Sequence, residues 1–233
     1  MKDAGQYLEP AYLYADGSSI ENLAELSATV KKYNCRNAIV HLGDVEGLEF
    51  EHELSIDRIK PVIDFPYGRG GVDVKDLEAE KAYGLGCVGM DVCVSLWAVL
   101  DGGFGIVEDE FNAVGRCCES EIKAIIQLPF LWVYAKDAIE PLLDVLVDAE
   151  VAVVKDWTTV MNFSKPVDVS LPARLAYLDY VRNLIDKKKL PLLVKIAGGV
   201  RADNAAEFFK HGADILGVGV PHVEGVYNAL SKI

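Results

Sequence analysis

The chain holds 233 residues, 51% hydrophobic and 25% charged, the proportions of an ordinary folded globular protein. Its 23 Lys and Arg against 36 Asp and Glu leave a net charge of −13, which disfavours nucleic acid and anionic membrane surfaces as partners. No apolar run approaches the roughly 20 residues that span a bilayer, and residues 1–6 lack the apolar core of a signal peptide, so the expected address is the cytosol.

Short apolar runs recur along the chain at 7–14, 38–42, 59–65, 88–94, 122–128, 151–155, 192–196 and 213–218. They are near-continuous in Val, Ile and Leu, the pattern of parallel strands packed within and covered outside. Segments of helical period separate them. Ser18, Ser19, Ile20 and Glu21 read as a capping box opening the first helix. Before the seventh run, Ser170 reads as an N-cap and Pro172 as a first-turn residue, with Leu175, Leu178, Val181 and Ile185 on one face. Lys187, Lys188 and Lys189 then suit the negative end of that helix dipole.

Eight strand–helix units in this length predict one α/β domain over 1–233, a (β/α)8 TIM barrel. A doubly wound sheet usually carries a glycine-rich dinucleotide turn after its first strand; here Ala15-Asp16-Gly17-Ser18 stands instead. The five cysteines are odd in number and lack CxxC spacing, which predicts reduced, structural thiols. The four histidines are scattered without metal-ligand spacing, so no metal site is predicted.

Charges inside barrel strands carry the chemistry. Lys155 closes the sixth run, Lys195 lies in the seventh and Asp91 inside the fourth. Lysines on adjacent strands about 4.8 Å apart disfavour each other's charge, and burial adds to this. That supplies the neutral amine a Schiff base needs, while Asp91 compensates the charge and can shuttle protons. The plain alternative is a structural Lys–Asp–Lys ion network, with Lys155 finding its carboxylate nearby, as at Asp156. Lys123, early in the fifth run, either pairs with Asp91 and tunes it or is a structural lysine at the barrel bottom. Gly198-Gly199 after the seventh run and Gly217-Val218-Gly219 at the eighth are either tight turns or backbone cradles for a substrate phosphate.

These residues resemble the deoxyribose-phosphate aldolase family over almost the whole chain. The segments that carry the likeness are Ile63-Asp64-Phe65-Pro66-Tyr67-Gly68, Met90-Asp91-Val92-Cys93-Val94, Ile122-Lys123-Ala124, Val153-Val154-Lys155 and Val194-Lys195-Ile196-Ala197-Gly198-Gly199-Val200-Arg201. The resemblance implies a class I aldolase that needs no cofactor and no metal. It makes Lys155 the imine former, Lys195 the residue that lowers its pKa and Asp91 the acid/base. It puts Lys123, Thr158, Gly198, Gly199 and Gly219 at the substrate, which is 2-deoxyribose 5-phosphate, cleaved to acetaldehyde and glyceraldehyde 3-phosphate. Membership also implies a homo-oligomer. Two departures predict a weaker phosphate grip: Asp156-Trp157-Thr158-Thr159-Val160 is more acidic than the family's loop, and Gly219 and Val220 replace its serines. A related aldolase for a non-phosphorylated substrate and a non-catalytic metabolite-binding barrel are the two other readings.

Overall fold

Apolar runs with no face left for water require a sheet covered on both sides. In the computed structural model, which describes residues 3–14, 20–118 and 120–233, they form β1 (Leu8–Tyr12), β2 (Ala38–His41), β3 (Ile59–Ile63), β4 (Met90–Cys93), β5 (Ile122–Ile125), β6 (Val153–Lys155), β7 (Leu193–Ala197) and β8 (Ile215–Gly219). All pair in parallel, in sequence order, and β8 returns to β1 to close the barrel. The helices are α1 (Ile20–Lys32), α2 (Gly71–Gly84), α3 (Leu96–Leu100), α4 (Phe104–Gly115), α5 (Leu128–Tyr134), α6 (Ile139–Asp148), α7 (Leu171–Lys188), α8 (Ala205–Lys210) and α9 (Val223–Leu230). No helix among the described residues is long and apolar enough to cross a membrane.

Strand alternation divides each run between two environments. Val40, Met90, Val92, Ala124, Val154 and Val194 join the continuous apolar core with Leu26, Phe111, Leu143 and Leu178 of the helix ring. The positions one residue away, Asp91, Lys123, Lys155 and Lys195, meet one another inside the barrel. The β2–β3 connection is irregular: residues 42–51 wind as a continuous run of 3-10, α and π turns, and a further 3-10 turn follows at Ile56–Arg58. Gly43 and Gly47 interrupt this acidic stretch and weaken any regular helix.

Helix α7 follows Ser170 at its N-cap, with Pro172 in its first turn and Lys187 and Lys188 in its last. The Ser170 side chain makes no capping bond; its backbone N–H donates to Asp168 at 2.8 Å. The buried stripe holds Arg174, Leu178, Val181 and Ile185, while Leu175 is only half-buried. The expected capping box rests on Ser18 and Ser19, which lie outside the described residues. All five cysteines are free thiols.

Candidate active site

Register decides which side chains meet. Lys155 of β6 stands directly beside Lys195 of β7, and Asp91 of β4 beside Lys123 of β5. Lys155 Nζ donates to Asp91 Oδ2 at 3.2 Å and Lys195 Nζ to the same oxygen at 2.8 Å. The shared oxygen keeps the two amines within about 6 Å of each other. Both lysines line a cavity of about 220 Å³, together with Ala11, Ile39, Thr158, Gly198, Gly199 and Gly219. Burial holds the Lys155 amine below the ordinary lysine range, and the Lys195 charge adds to this against the pull of Asp91. Burial alone would raise the Asp91 pKa, but Lys123, Lys195 and Lys155 together hold it lowered, so Asp91 rests as the carboxylate. Asp91 itself does not line the cavity; it lies beneath the amines and reaches the mouth through them.

Lys123 is one layer further down, fully buried and outside the cavity lining. It faces Asp91 at 3.2 Å, Glu121 at 3.0 Å and Glu9 at 3.4 Å. Those three carboxylates outweigh burial and raise its pKa. It thus lies against Asp91 and does not line the cavity.

The expected Lys155–Asp156 pair does not form. Successive strand residues point to opposite faces, so Asp156 turns out of the barrel as Lys155 turns in. Asp156 meets Arg174 of α7 at 2.7 Å and accepts the Ala197 N–H at 2.8 Å. Burial raises its pKa, with Arg174 pulling the other way. Its charge is thus matched behind the wall of the mouth, which removes one of the two grounds for expecting a weak phosphate grip. Arg174 also donates to the Gly198 carbonyl at 2.5 Å and the Ala197 carbonyl at 2.9 Å, clamping the loop after β7. Gly198 needs its lack of a side chain: its φ is 76°, and a Cβ there would fall 2.2 Å from Thr159 Cγ2. Thr158 lines the cavity with its backbone N–H held by Gln127 Oε1 at 3.3 Å.

Sequence reasoning missed several of these partners. Glu9 in β1 is fully buried, forms a close ion pair with Lys195 and accepts from Asn37 Nδ2 at 2.7 Å. The criterion that found Asp91, a charge within an apolar run, also fits Glu9. A second buried network supports the turn after β3: Lys75 meets Asp64 at 2.7 Å and Glu110 at 3.1 Å, and Ser95 Oγ donates to the Gly68 carbonyl at 2.8 Å. Arg201, Tyr14 and His222 also line the cavity. Among the described residues, no group of three or more His, Cys, Asp or Glu is placed to hold a metal ion.

A closed parallel barrel with two buried lysines at one mouth is a scaffold for primary-amine chemistry, in the class of lysine-bearing (β/α)8 proteins. No family model matches the chain. A deoxyribose-phosphate aldolase of Gloeobacter violaceus is 28% identical over 161 residues, which cover 68% of this chain and 64% of that protein. One from Treponema denticola is 23% identical over 132 residues, covering 55% of this chain and 61% of that protein. The matched stretch thus spans less than two thirds of the length of both relatives. A solved tetrameric deoxyribose phosphate aldolase from Aeropyrum pernix superposes with a TM-score of 0.78 at 21% identity, covering 99% of this chain and 92% of that one, and shares the fold. The chain is thus similar in sequence to deoxyribose-phosphate aldolases and shares their barrel fold.

Proposed function

We propose that the protein is a class I aldolase, an aldehyde-lyase that cleaves 2-deoxyribose 5-phosphate reversibly to acetaldehyde and glyceraldehyde 3-phosphate. The observation that carries this reading is the pair of buried amines on one Asp91 oxygen, with Lys155 held below the usual lysine range at the cavity wall. The neutral Lys155 amine attacks the open-chain aldehyde, and loss of water gives an iminium. The C3 hydroxyl gives its proton to Lys195 as Lys195 hands its own to Asp91, the C2–C3 bond breaks, and its electron pair forms an enamine on Lys155 as glyceraldehyde 3-phosphate leaves. Protonation of the enamine carbon and hydrolysis then release acetaldehyde. Lys195, beside the iminium site, passes the hydroxyl proton to Asp91 beneath and returns it to the enamine carbon.

The other end of the substrate meets backbone N–H groups at Gly198, Gly199 and Gly219, with Arg201 at the rim as the available cation. The absent serine hydroxyls at Gly219 and Val220 favour a broader acceptor range, including non-phosphorylated aldehydes, as the second reading. The five free thiols, four of them buried, suit a reducing cytosol. A homo-oligomer belongs to the same proposal, by analogy with the tetrameric relative.

Borohydride reduction with acetaldehyde, followed by peptide mapping, tests the mechanism. One two-carbon adduct on Lys155, abolished in Lys155→Ala, is expected. Absence of any reducible adduct would favour the non-catalytic, metabolite-binding barrel.

A further inference from the structure

Two lysines stand side by side at the mouth, yet only one can be the free amine, and sequence position alone does not choose between them. Their surroundings differ in the carboxylates they reach. Lys155 reaches one carboxylate, Asp91, and shares its Oδ2 with Lys195. Lys195 reaches that same oxygen and also the Glu9 carboxylate, which faces it from β1.

The charge count inside the barrel points the same way. Glu9, Asp91 and Glu121 are the carboxylates of the cluster. Lys123 contacts all three, Arg36 contacts Glu9 and Glu121, and Lys195 contacts Glu9 and Asp91. Three anions therefore match three multiply held cations, and the Lys155 amine is the surplus group whose neutral form balances the cluster. Lys60, the remaining buried lysine on this side, donates to the Asp57 carbonyl at 2.8 Å. Lys155 also faces the buried Cys93 thiol, which burial keeps protonated by raising its pKa.

We infer that Glu9 is the positioning residue that selects the nucleophile, by fixing the proton on Lys195 so that Lys155 is the amine left free. This rests on the Schiff-base reading above. Asn37, donating to Glu9 Oε1 at 2.7 Å, holds the carboxylate in place, and its full burial keeps it from bulk-solvent screening. Glu9 touches no cavity-lining surface of its own; it acts through Lys195.

The test is the distribution of reduced acetaldehyde adduct between the two lysines, read by peptide mapping. In the unmodified protein the adduct is expected on Lys155 alone. Glu9→Gln keeps the shape and the Asn37 bond but removes the charge, and should raise the Lys195:Lys155 adduct ratio at least about tenfold, the effect of one unit of relative basicity. In a Lys155→Ala background, which leaves Lys195 unlabelled, adding Glu9→Gln should make Lys195 labelling appear. A purely structural Glu9 would instead lower total labelling without moving the ratio. Should Glu9→Gln not fold, Glu9→Asp, with its carboxylate retracted by one methylene, should still move the ratio at least about threefold the same way, a shift of roughly half a unit. Adduct confined to Lys155 in the folded variants, or adduct on Lys195 in the unmodified protein, would overturn the inference while leaving imine chemistry intact. An unmodified protein that forms no adduct at all would sink the Schiff-base reading, and this inference with it.

Discussion

Lys155 is a side chain that the fold tolerates rather than one that stabilises it. It is 3% exposed, and burial disfavours its charged form. Because its folded pKa lies below the unfolded value of 10.5, the unfolded chain binds the extra proton between those two values. Stability therefore rises with pH through that window, and the cost of the lysine is full below it. Lys155→Met should remove the cost while Lys123 and Lys195 continue to hold Asp91. We expect a gain of about 1 kcal/mol at neutral pH, or roughly 2–4 °C in Tm, shrinking as pH approaches 10.5, with activity lost. A lower Tm for Lys155→Met at neutral pH would mean that its bond to Asp91 outweighs its burial. At this scale Lys155, Lys195 and Asp91 were legible because charges in apolar runs of a covered strand must meet partners inside the barrel. Glu9 passed unnoticed because β1 also carries Pro10 and Tyr12, which blur the run. Asp156 was misassigned because adjacency in sequence is opposition across a strand.

The element that needs most support is the loop leaving β7. Arg174 binds its carbonyls from outside, and Gly198 leaves just the space that Thr159 fills. Gly198→Ala should therefore lower both Tm and kcat/KM, and for two separable reasons. The Cβ clash is with Thr159, so Thr159→Gly in the same chain should restore most of the loss. The positive φ of 76° stays unfavourable for alanine, so a residual cost of about 1–2 kcal/mol should persist in the double variant. Thermal melts and kcat/KM with phosphorylated and plain acceptors would check this; no rescue by Thr159→Gly would show that the loop does not pack as described. The strands and this glycine pair could be read from sequence, since both follow from local pattern. Arg174 could not: it occupies the same stripe as Leu178, Val181 and Ile185, but its charge made the position look solvated. Nor could the β2–β3 connection, where a polar, glycine-broken segment winds irregularly between 3-10 and π turns and the barrel still closes around it.

Across the whole molecule, the buried carboxylates set the response to acid. Glu9 is lowered from 4.5 to about 2 as Lys123 and Lys195 overcome the effect of burial, and Asp91 is lowered from 3.8 by its three lysines. Each contributes stability that is full above its unfolded value and is lost as pH falls towards its folded value. Asp156 runs the other way: burial raises its pKa, so it binds a proton in the folded state first and gains stability as pH falls to 3.8. Two groups against one leave a net loss in acid. The chain also passes from a net charge of −13 at pH 7 through its isoelectric point near 4.7, so positive self-repulsion joins below it. Each group that titrates differently in the two states contributes at most about 1.4 kcal/mol per pH unit. Urea unfolding should accordingly give a stability that is level near neutrality and falls below pH 4.5, where Glu9 begins to protonate in the unfolded chain. Glu9→Gln should start lower, having left Lys195 and Lys123 short of a carboxylate, but fall less steeply by up to about 1.4 kcal/mol per pH unit. Parallel slopes for the two proteins between pH 4.5 and about 3 would mean that Glu9 is not the deeply held anion its partners imply.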